Sequence, residues 1–441
     1  MARDTSIIDR LTAYNDGRVP VLLARKYQRM AADVFAFFRG TGHLFHAAFP
    51  AGLGKYPIVW LNGDLHLENF GTYRGDNRLT YFDIGDFDES ALGPASRDLL
   101  RFLTGLHLAM PGLQQPSRLA GQLAKTYLAA YAAGLQTGKA MWLERRLADG
   151  LIGDLMHNLD LRQKSGRHGS SWLRNRVAGF AAKDHGKDDK GHAADRRHLR
   201  LDSGKFMPAP PRLRQAVEQA IGRIAKRQAR IGAGDWHILD IAWRIAGLGT
   251  LGLPRFCILI RMDGNPRKSD DLGPVATEGD LLLLDLKVQP GSAMVPYLRR
   301  AQPGFASEGA RVVAVETRMQ AVAPAFLTAL QIGNRSFTLR ELQPEADKLD
   351  LAQILARHKR LDPLALHDTV ATMGRMTAWA QLRSAGRQGS AGADQLIDFA
   401  SGAAWPRDLL AAAKMVAGQT ETAWRGSRDW LAPEAARLAA V

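Results

Sequence analysis

The sequence predicts an α+β protein of two lobes, in which a β-rich block at residues 235–348 separates two helical stretches, 1–234 and 349–441. Three observations lead there. Apolar residues recur at helical spacing through the flanking stretches, whereas the block between them holds apolar runs of strand length such as RFCILIR and LLLLDL. A chain of 441 residues that is 46% hydrophobic can bury about two or three cores. The sequence holds no internal repeat, so the order helical, β-rich, helical is one architecture rather than an array.

Each element has its own reason. RKYQRMAADVFAFFRG (25–40) has helical apolar spacing and should close at Gly40, since glycine commonly ends a helix. PIVWLN (57–62) is β-rich and leads into an acidic stretch, GDLHLENFGTYRGDNRLTYFDIGDFDE (63–89), that reads as strand, turn, strand. ASRDLLRFLTGLHLAM and SRLAGQLAKTYLAAYAAGL read as amphipathic helices, the second with Ser117 as its N-cap. The proline-rich MPAPPRLR precedes a helix running to about residue 231. IAWRIAGLGTLGLPRFCILIRMDG reads as a hairpin and GDLLLLDLKVQP as a further strand, with RMDGNPRKSDDLGPVATEGD between them as a surface insertion. GARVVAVETRMQAV follows as a helix and RSFTLRELQ as a strand, and the chain is helical again from residue 349.

Composition narrows the function classes. No apolar run approaches the ~18 to 20 residues a membrane span needs, and the N-terminus MARDTSIIDRLTAYNDGRVP lacks the apolar core of a secretory signal, so no membrane partner and a cytoplasmic location are expected. Cys257 is the single cysteine, which excludes a disulfide framework and a cysteine-based zinc site. The 59 Lys and Arg against 44 Asp and Glu give a net charge of +15 and favour anionic partners. The excess concentrates at 161–200, where eleven Lys or Arg stand among few apolar residues, so that stretch is expected to be a flexible basic insertion. A nucleic-acid arm is the rival reading of those charges; it is disfavoured because only Trp172 and Phe180 could stack on bases.

The acidic stretch carries the chemistry. In D-L-H-L-E-N, Asp64 and Asn69 stand five apart, the spacing of the catalytic Asp and metal-binding Asn in the protein-kinase catalytic loop, and Asp83 follows on the next strand. In such enzymes the first Asp takes the proton of the attacking hydroxyl, while the Asn and a second Asp hold magnesium on the nucleotide phosphates. Gly63, Asp64, His66, Asn69, Asp83 and Asp98 together resemble the aminoglycoside-phosphotransferase branch of that superfamily. The expected roles are therefore Asp64 as general base, His66 as a loop-orienting or substrate-touching residue, and Asn69, Asp83 and Asp86 as magnesium ligands. Arg39 could bind phosphate or a loop carboxylate, and Asp98 and Arg101 are spaced to tie the loop to one helix face. A rival uses the same letters: D-x-H followed by G-D-x-x-[DE] is the pattern of binuclear metallophosphoesterases, with Asp64, His66 and Asp86 as ligands. The later histidine clusters that such a site needs are missing. A carboxylate-rich turn with no catalytic role is the plainer alternative.

Downstream, Gly247, Gly249 and Gly252 in G-L-G-T-L-G sit between two strand-like runs, and Lys287 lies on an apolar strand where a lone cation needs an anionic partner. A Rossmann reading of the glycines fails because a strand rather than a helix follows them. A glycine-rich hairpin over the phosphates and a strand Lys are the other half of a kinase-like site, and the next helix should offer Lys287 a Glu, either Glu308 or Glu316. The halves come in reversed order, which a circular permutation of the two-lobed fold accounts for.

Over most of its length the chain also resembles the bacterial family catalogued as domain of unknown function 2252. The resemblance rests on RKYQRM (25–30), FFRGT (37–41), GDLHLENFG (63–71), DFDES and RDLLRF (86–90, 97–102), DIAWRIAGLGTLG (240–252), LDLKVQPGSA (284–293) and RELQPEADKLDL (340–351). That family looks like a relative of the kinase and aminoglycoside-phosphotransferase superfamily; it would carry an acidic residue after the strand Lys and a His in the late helix, where this chain has Val288 and Gln381. The expectation is an ATP- and magnesium-dependent phosphotransferase acting on a small-molecule or protein hydroxyl. Adenylyl transfer in the same cleft and a non-catalytic nucleotide- or nucleic-acid-binding role are the alternatives.

Overall fold

The β-rich block supplies five strands of a six-stranded antiparallel sheet, whose sixth strand comes from Phe206–Met207, and most of the rest of the chain is helical. The computed structural model describes residues 6–164, 171–179, 197–230, 235–263, 280–343, 348–350 and 362–440. The chain begins with α1 (Ile7–Tyr14), α2 (Pro20–Ala32), α3 (Val34–Gly40) and α4 (Gly42–Ala47). Strands β1 (Ile58–Leu61), β2 (Phe70–Arg74), β3 (Thr80–Ile84) and β4 (Ala91–Pro94) follow as two small antiparallel pairs, β1 with β4 and β2 with β3. Then come α5 (Ser96–Ala109), α6 (Ser117–Gln136), α7 (Gly150–Lys164) and α8 (Ser171–Arg174), the short strands β5 (Val177–Ala178), β6 (His198–Leu199) and β7 (Phe206–Met207), and α9 (Pro211–Arg230).

The large sheet contains β8 (Asp235–Arg244), β9 (Arg255–Asp263), β10 (Asp280–Val288), β11 (Thr328–Ile332) and β12 (Arg335–Glu341), in the order β11-β12-β10-β9-β8-β7, with α10 (Glu308–Met319) between β10 and β11. Strand alternation gives it two apolar faces. Phe256, Ile258, Ile260, Leu282, Leu284 and Leu286 share a core with Val217 and Ile221 of α9. Cys257, Leu259, Leu281 and Leu283 on the opposite face pack with Leu173, Val177, Leu199 and Phe206. The chain then closes with α11 (Pro363–Arg383), α12 (Ala393–Ala400) and α13 (Trp405–Ala439), which pack on the earlier helices. Buried hydroxyls between α6 and α11 satisfy partners across the helix pair, Tyr127 donating to Thr377 Oγ1 at 2.8 Å and Tyr131 to Gln381 Oε1 at 2.5 Å. The last helix packs on α2, where Trp424 Nε1 donates to Met30 O at 2.9 Å.

Several expectations change. The helix over 25–40 is interrupted at Asp33, whose extended backbone (φ −143°) ends α2 and whose carboxylate accepts Ala36 N at 2.7 Å to cap α3; the second segment does end at Gly40. Ser117 is the first residue inside α6 rather than its cap, because Pro116 precedes it with fixed backbone and no side-chain hydrogen bond. β11 was not expected, and its half-buried residues carry no alternation to reveal it. Of the basic stretch 161–200, residues 165–170 and 180–196 lie outside the described residues. The described part is anchored through Leu173, Val177 and Leu199 in the sheet's second core. Of the expected surface insertion at 261–280, residues 264–279 also lie outside them, while its two ends, 261–263 and 280, belong to β9 and β10. No helix among the described residues is long and apolar enough to cross a membrane.

Candidate functional site

The loop after β1 is held by α5. Asp98 accepts Asn62 N at 2.7 Å and Gly63 N at 2.9 Å, one on each carboxylate oxygen. Burial pushes its pKa up to about 7, and those two bonds oppose the shift. Gly63 has φ +89°, and a Cβ there would lie 2.1 Å from Glu89 O, so the loop can press against the 85–90 segment only with glycine at this position. One helical turn beyond Asp98, Arg101 donates to Asp64 Oδ1 through Nε at 2.9 Å and Nη2 at 2.8 Å, and Nη2 also reaches Phe38 O. Both of its bonds to Asp64 fall on Oδ1. Burial raises the Asp64 pKa and Arg101 offsets part of the rise. Asn69 Nδ2 donates to Asp64 O at 2.6 Å, and the buried His66 accepts Glu68 N on Nδ1 at 3.2 Å while its Nε2 lies 3.9 Å from Asp64 Oδ2. Arg39 ion-pairs with Glu68.

The second loop, between β3 and β4, is gripped from the large sheet. Asp86 sits at φ +58°, and Asn62 Nδ2 donates to the carbonyls of Gly85 and Asp86 at 3.0 Å each. Lys287 Nζ donates to Asp86 Oδ1 at 2.7 Å and pairs with Asp88 as well. The lysine partners are therefore these two aspartates, not a glutamate of α10. Glu308 pairs with Arg311 at 2.7 Å and Glu316 with Arg340 at 2.9 Å, because the loop carboxylates already occupy the space beside Lys287. Burial would raise the pKa of Asp86, but Lys287 and Lys348 outweigh it and hold it well below the usual range; burial and Asp86 raise that of Asp88. Glu89 accepts Ala293 N at 2.5 Å, and burial together with Asp64 pushes its pKa up to about 7. Arg311 of α10 donates to the carbonyls of Ser90 at 2.5 Å and Asp88 at 2.8 Å.

The glycine-rich turn between β8 and β9 lies over both loops. Its carbonyls are taken from the N-terminal side: Arg18 Nη1 donates to Gly249 O at 2.8 Å and Leu251 O at 2.9 Å, Lys26 Nζ to Gly249 O at 3.1 Å, and Val19 N to Gly252 O at 3.1 Å. Lys26 is fully buried, and that burial, with Arg18 beside it, drives its pKa well down. Between turn and loops is a cleft of about 60 Å³ lined by Tyr14, Arg39, Asp64, His66, Asn69, Asp86, Asp88, Glu89, Gly247–Thr250 and Lys348. Burial lowers the Lys348 pKa to about 8; Asp86 opposes this, and Arg255, Arg39 and Lys287 add to it. The sheet face nearby carries a further buried ion set, Asp285 with Arg255 at 2.8 and 2.5 Å and with Arg244 at 2.8 Å.

Asp64, His66, Asn69, Asp86, Gly247 and Gly249 thus come together in one cleft, and Lys287 joins it through Asp86 across 201 positions of sequence. Asp83 and Gly252 do not line it. Asp83 accepts Ile84 N at 2.8 Å, Ala321 N at 3.0 Å and Arg383 Nη2 at 2.9 Å, tying β3 to the end of α10 and to α11. Gly252, at φ +91°, packs on Arg18 and Val19. Sequence reasoning missed Tyr14 and Lys348; Tyr14 gives no signal, whereas Lys348 lies inside RELQPEADKLDL and had been given no role. As a magnesium site the residues fit in part: Asn69 and Asp86 face the cleft with oxygen donors, while Asp83 is committed to Arg383. Among the described residues no group of three or more His, Cys, Asp or Glu side chains is arranged around a common metal position.

No curated protein and no solved structure matches the chain. Residues 18–428 match domain of unknown function 2252, described as an uncharacterized protein conserved in bacteria. That span takes in both loops, the glycine-rich turn, Lys287 and Lys348, and with it matched the chain belongs to the DUF2252 family.

Proposed function

We propose that this protein is an ATP- and magnesium-dependent phosphotransferase acting on a hydroxyl acceptor, built as a circularly permuted relative of the kinase-like fold. The observation that carries the reading is the convergence of the Asp64–Asn69 loop, Asp86 and the glycine-rich turn on one cleft, with Lys287 on the strand beside it. Arg101 occupies Asp64 Oδ1, so Oδ2 is the atom that would accept the proton of the attacking hydroxyl, a role typically worth ~10²–10⁴ in rate. Asn69 and Asp86 would hold magnesium, whose contribution is to neutralise charge on the phosphate oxygens. The turn supplies a glycine-rich cover that follows one strand of the sheet and precedes the next, and Lys287 lies on the third strand of the same run, before α10. A cleft of about 60 Å³ holds a few water molecules, so nucleotide entry requires the turn and its N-terminal clasp to move.

Thermal shift with ATP, with and without magnesium, tests this. Wild type should be stabilised by ATP only when magnesium is present, Asn69→Ala and Asp86→Asn should lose the response, and Asp64→Asn should keep it while turnover falls by ~10²–10⁴. An absent ATP response in a folded wild-type protein would sink the proposal.

A further inference from the structure

The cations around the cleft are not equivalent. Lys287 is engaged by two carboxylates, Asp86 and Asp88, and Arg101 by Asp64. Arg255 is engaged by Asp285. Lys348 differs: it lines the cleft half-buried, and among the described residues no carboxylate lies within ion-pair distance of its ammonium group. Its surroundings are largely cationic, with Arg39 from α3, Arg255 from β9 and Lys287 from β10 acting on it, against the acids Asp86 and Glu68, the second of which is already paired with Arg39.

Two further observations mark the same spot as short of an anion. Arg39 lines the cleft beside Lys348, and although its guanidinium reaches Glu68, its buried Nε has no hydrogen-bond partner. Above them, the carbonyls of Gly249, Leu251 and Gly252 are all taken by Arg18, Lys26 and Val19, whereas among the described residues no hydrogen bond takes up the backbone N–H groups of residues 247–250. A turn with its carbonyls drawn off to one side and its N–H groups unclaimed is an anion-binding concavity. Buried or half-buried donors in such numbers ordinarily find acceptors.

We propose that Lys348, with Arg39 and the N–H groups of the glycine-rich turn, is the seat for a phosphate group in this cleft, and that Lys287 serves instead to position Asp86 and Asp88. The ligand class is a phosphoryl or polyphosphoryl anion. The inference rests on the phosphotransferase reading for its role in turnover, but the anion site itself can be tested without a nucleotide.

The experiment is calorimetric titration of the full chain with inorganic tripolyphosphate and separately with ATP and magnesium, for wild type, Lys348→Met and Lys348→Arg, with melting temperatures taken alongside. Wild type should bind tripolyphosphate; Lys348→Met should weaken it by about 10- to 100-fold, the loss of one charge-assisted contact. Lys348→Arg should restore most of the affinity, which separates an anion contact from a merely structural role. No tripolyphosphate binding by wild type, unchanged binding by Lys348→Met, or an arginine variant no better than the methionine one would each overturn the inference. The two proposals come apart cleanly. Magnesium-dependent ATP binding that ignores Lys348→Met leaves the phosphotransferase standing and removes the phosphate seat. Tripolyphosphate binding that depends on Lys348, in a protein that binds no nucleotide, does the reverse.

Discussion

Lys287 shows how a residue can be expected for one reason and held in place by another. A lysine on an apolar strand needs an anion, and two aspartates from the 85–90 loop supply it, so its neutral replacement leaves two carboxylates facing each other in a desolvated site. Lys287→Met should therefore lower stability by about 3 kcal/mol. Adding Asp86→Asn and Asp88→Asn to it should recover much of the loss, because the repulsion goes with the charges; denaturant unfolding of the single and triple variants reads the difference. Additive losses would show that the three side chains do not act as a unit. Asp64, His66, Asn69 and Asp86, which the structure brings to one cleft, were legible in the sequence as candidates through their combined spacing, although turns favour the same residue types. Lys348 was not, since a lone lysine in a loop is ordinarily solvated and nothing local says that it meets a cleft. Asp83 looked like a metal ligand by position, but its charged partner, Arg383, stands 300 positions away on α11.

At the scale of elements, alternation and punctuation made most of the fold readable. The β8–β9 hairpin and β10 announce themselves by strand-length apolar runs, and α5, α6, α9 and α10 by helical spacing. The break between α2 and α3 was hidden because Asp33 both ends one helix and caps the next, so the apolar rhythm runs through it almost undisturbed. Where β8, β9 and β10 meet, Asp285 ties the strands through Arg244 and Arg255. Burial alone would raise its pKa, but the two guanidinium groups hold it well below the usual carboxylate range. A depressed folded-state pKa gives stability that is present above the unfolded value of about 4 and is lost as pH falls below it. The wild-type denaturation midpoint should accordingly drop on acidification below about pH 4, whereas Asp285→Asn should start lower at neutral pH and change less. Parallel profiles for the two proteins would show that Asp285 is not the group that titrates.

For the whole molecule, the decisive fact is that no single part of the chain owns the site. The acidic loops follow β1 and β3, the turn and Lys287 belong to the large sheet, and Arg18, just before α2, and Lys26, within it, clasp the turn. That helix is in turn held by the last one, since α13 packs along α2. A chain ending at Ala404 should lose that support, and limited proteolysis should then cut the Asp16–Lys26 segment and the glycine-rich turn at similar rates. Continued protection of both would show that α13 is dispensable for the clasp. Function at this scale was the least legible, because whether two motifs share a cleft is a property of topology and neither motif encodes it.

The clasp also sets a schedule for synthesis. The loop bearing Asp64 leaves the ribosome well before the turn that covers it, and Lys348 later still; at about 5–20 residues per second the interval from Asp64 to Lys348 is ~15–60 s. Until the turn and Lys287 have emerged, the carboxylates of the nascent chain have neither their cover nor their lysine, and α2 waits longer for its partner helix. The cleft is thus assembled late, and the segments that clasp its turn gain their support only when α13 has packed along α2.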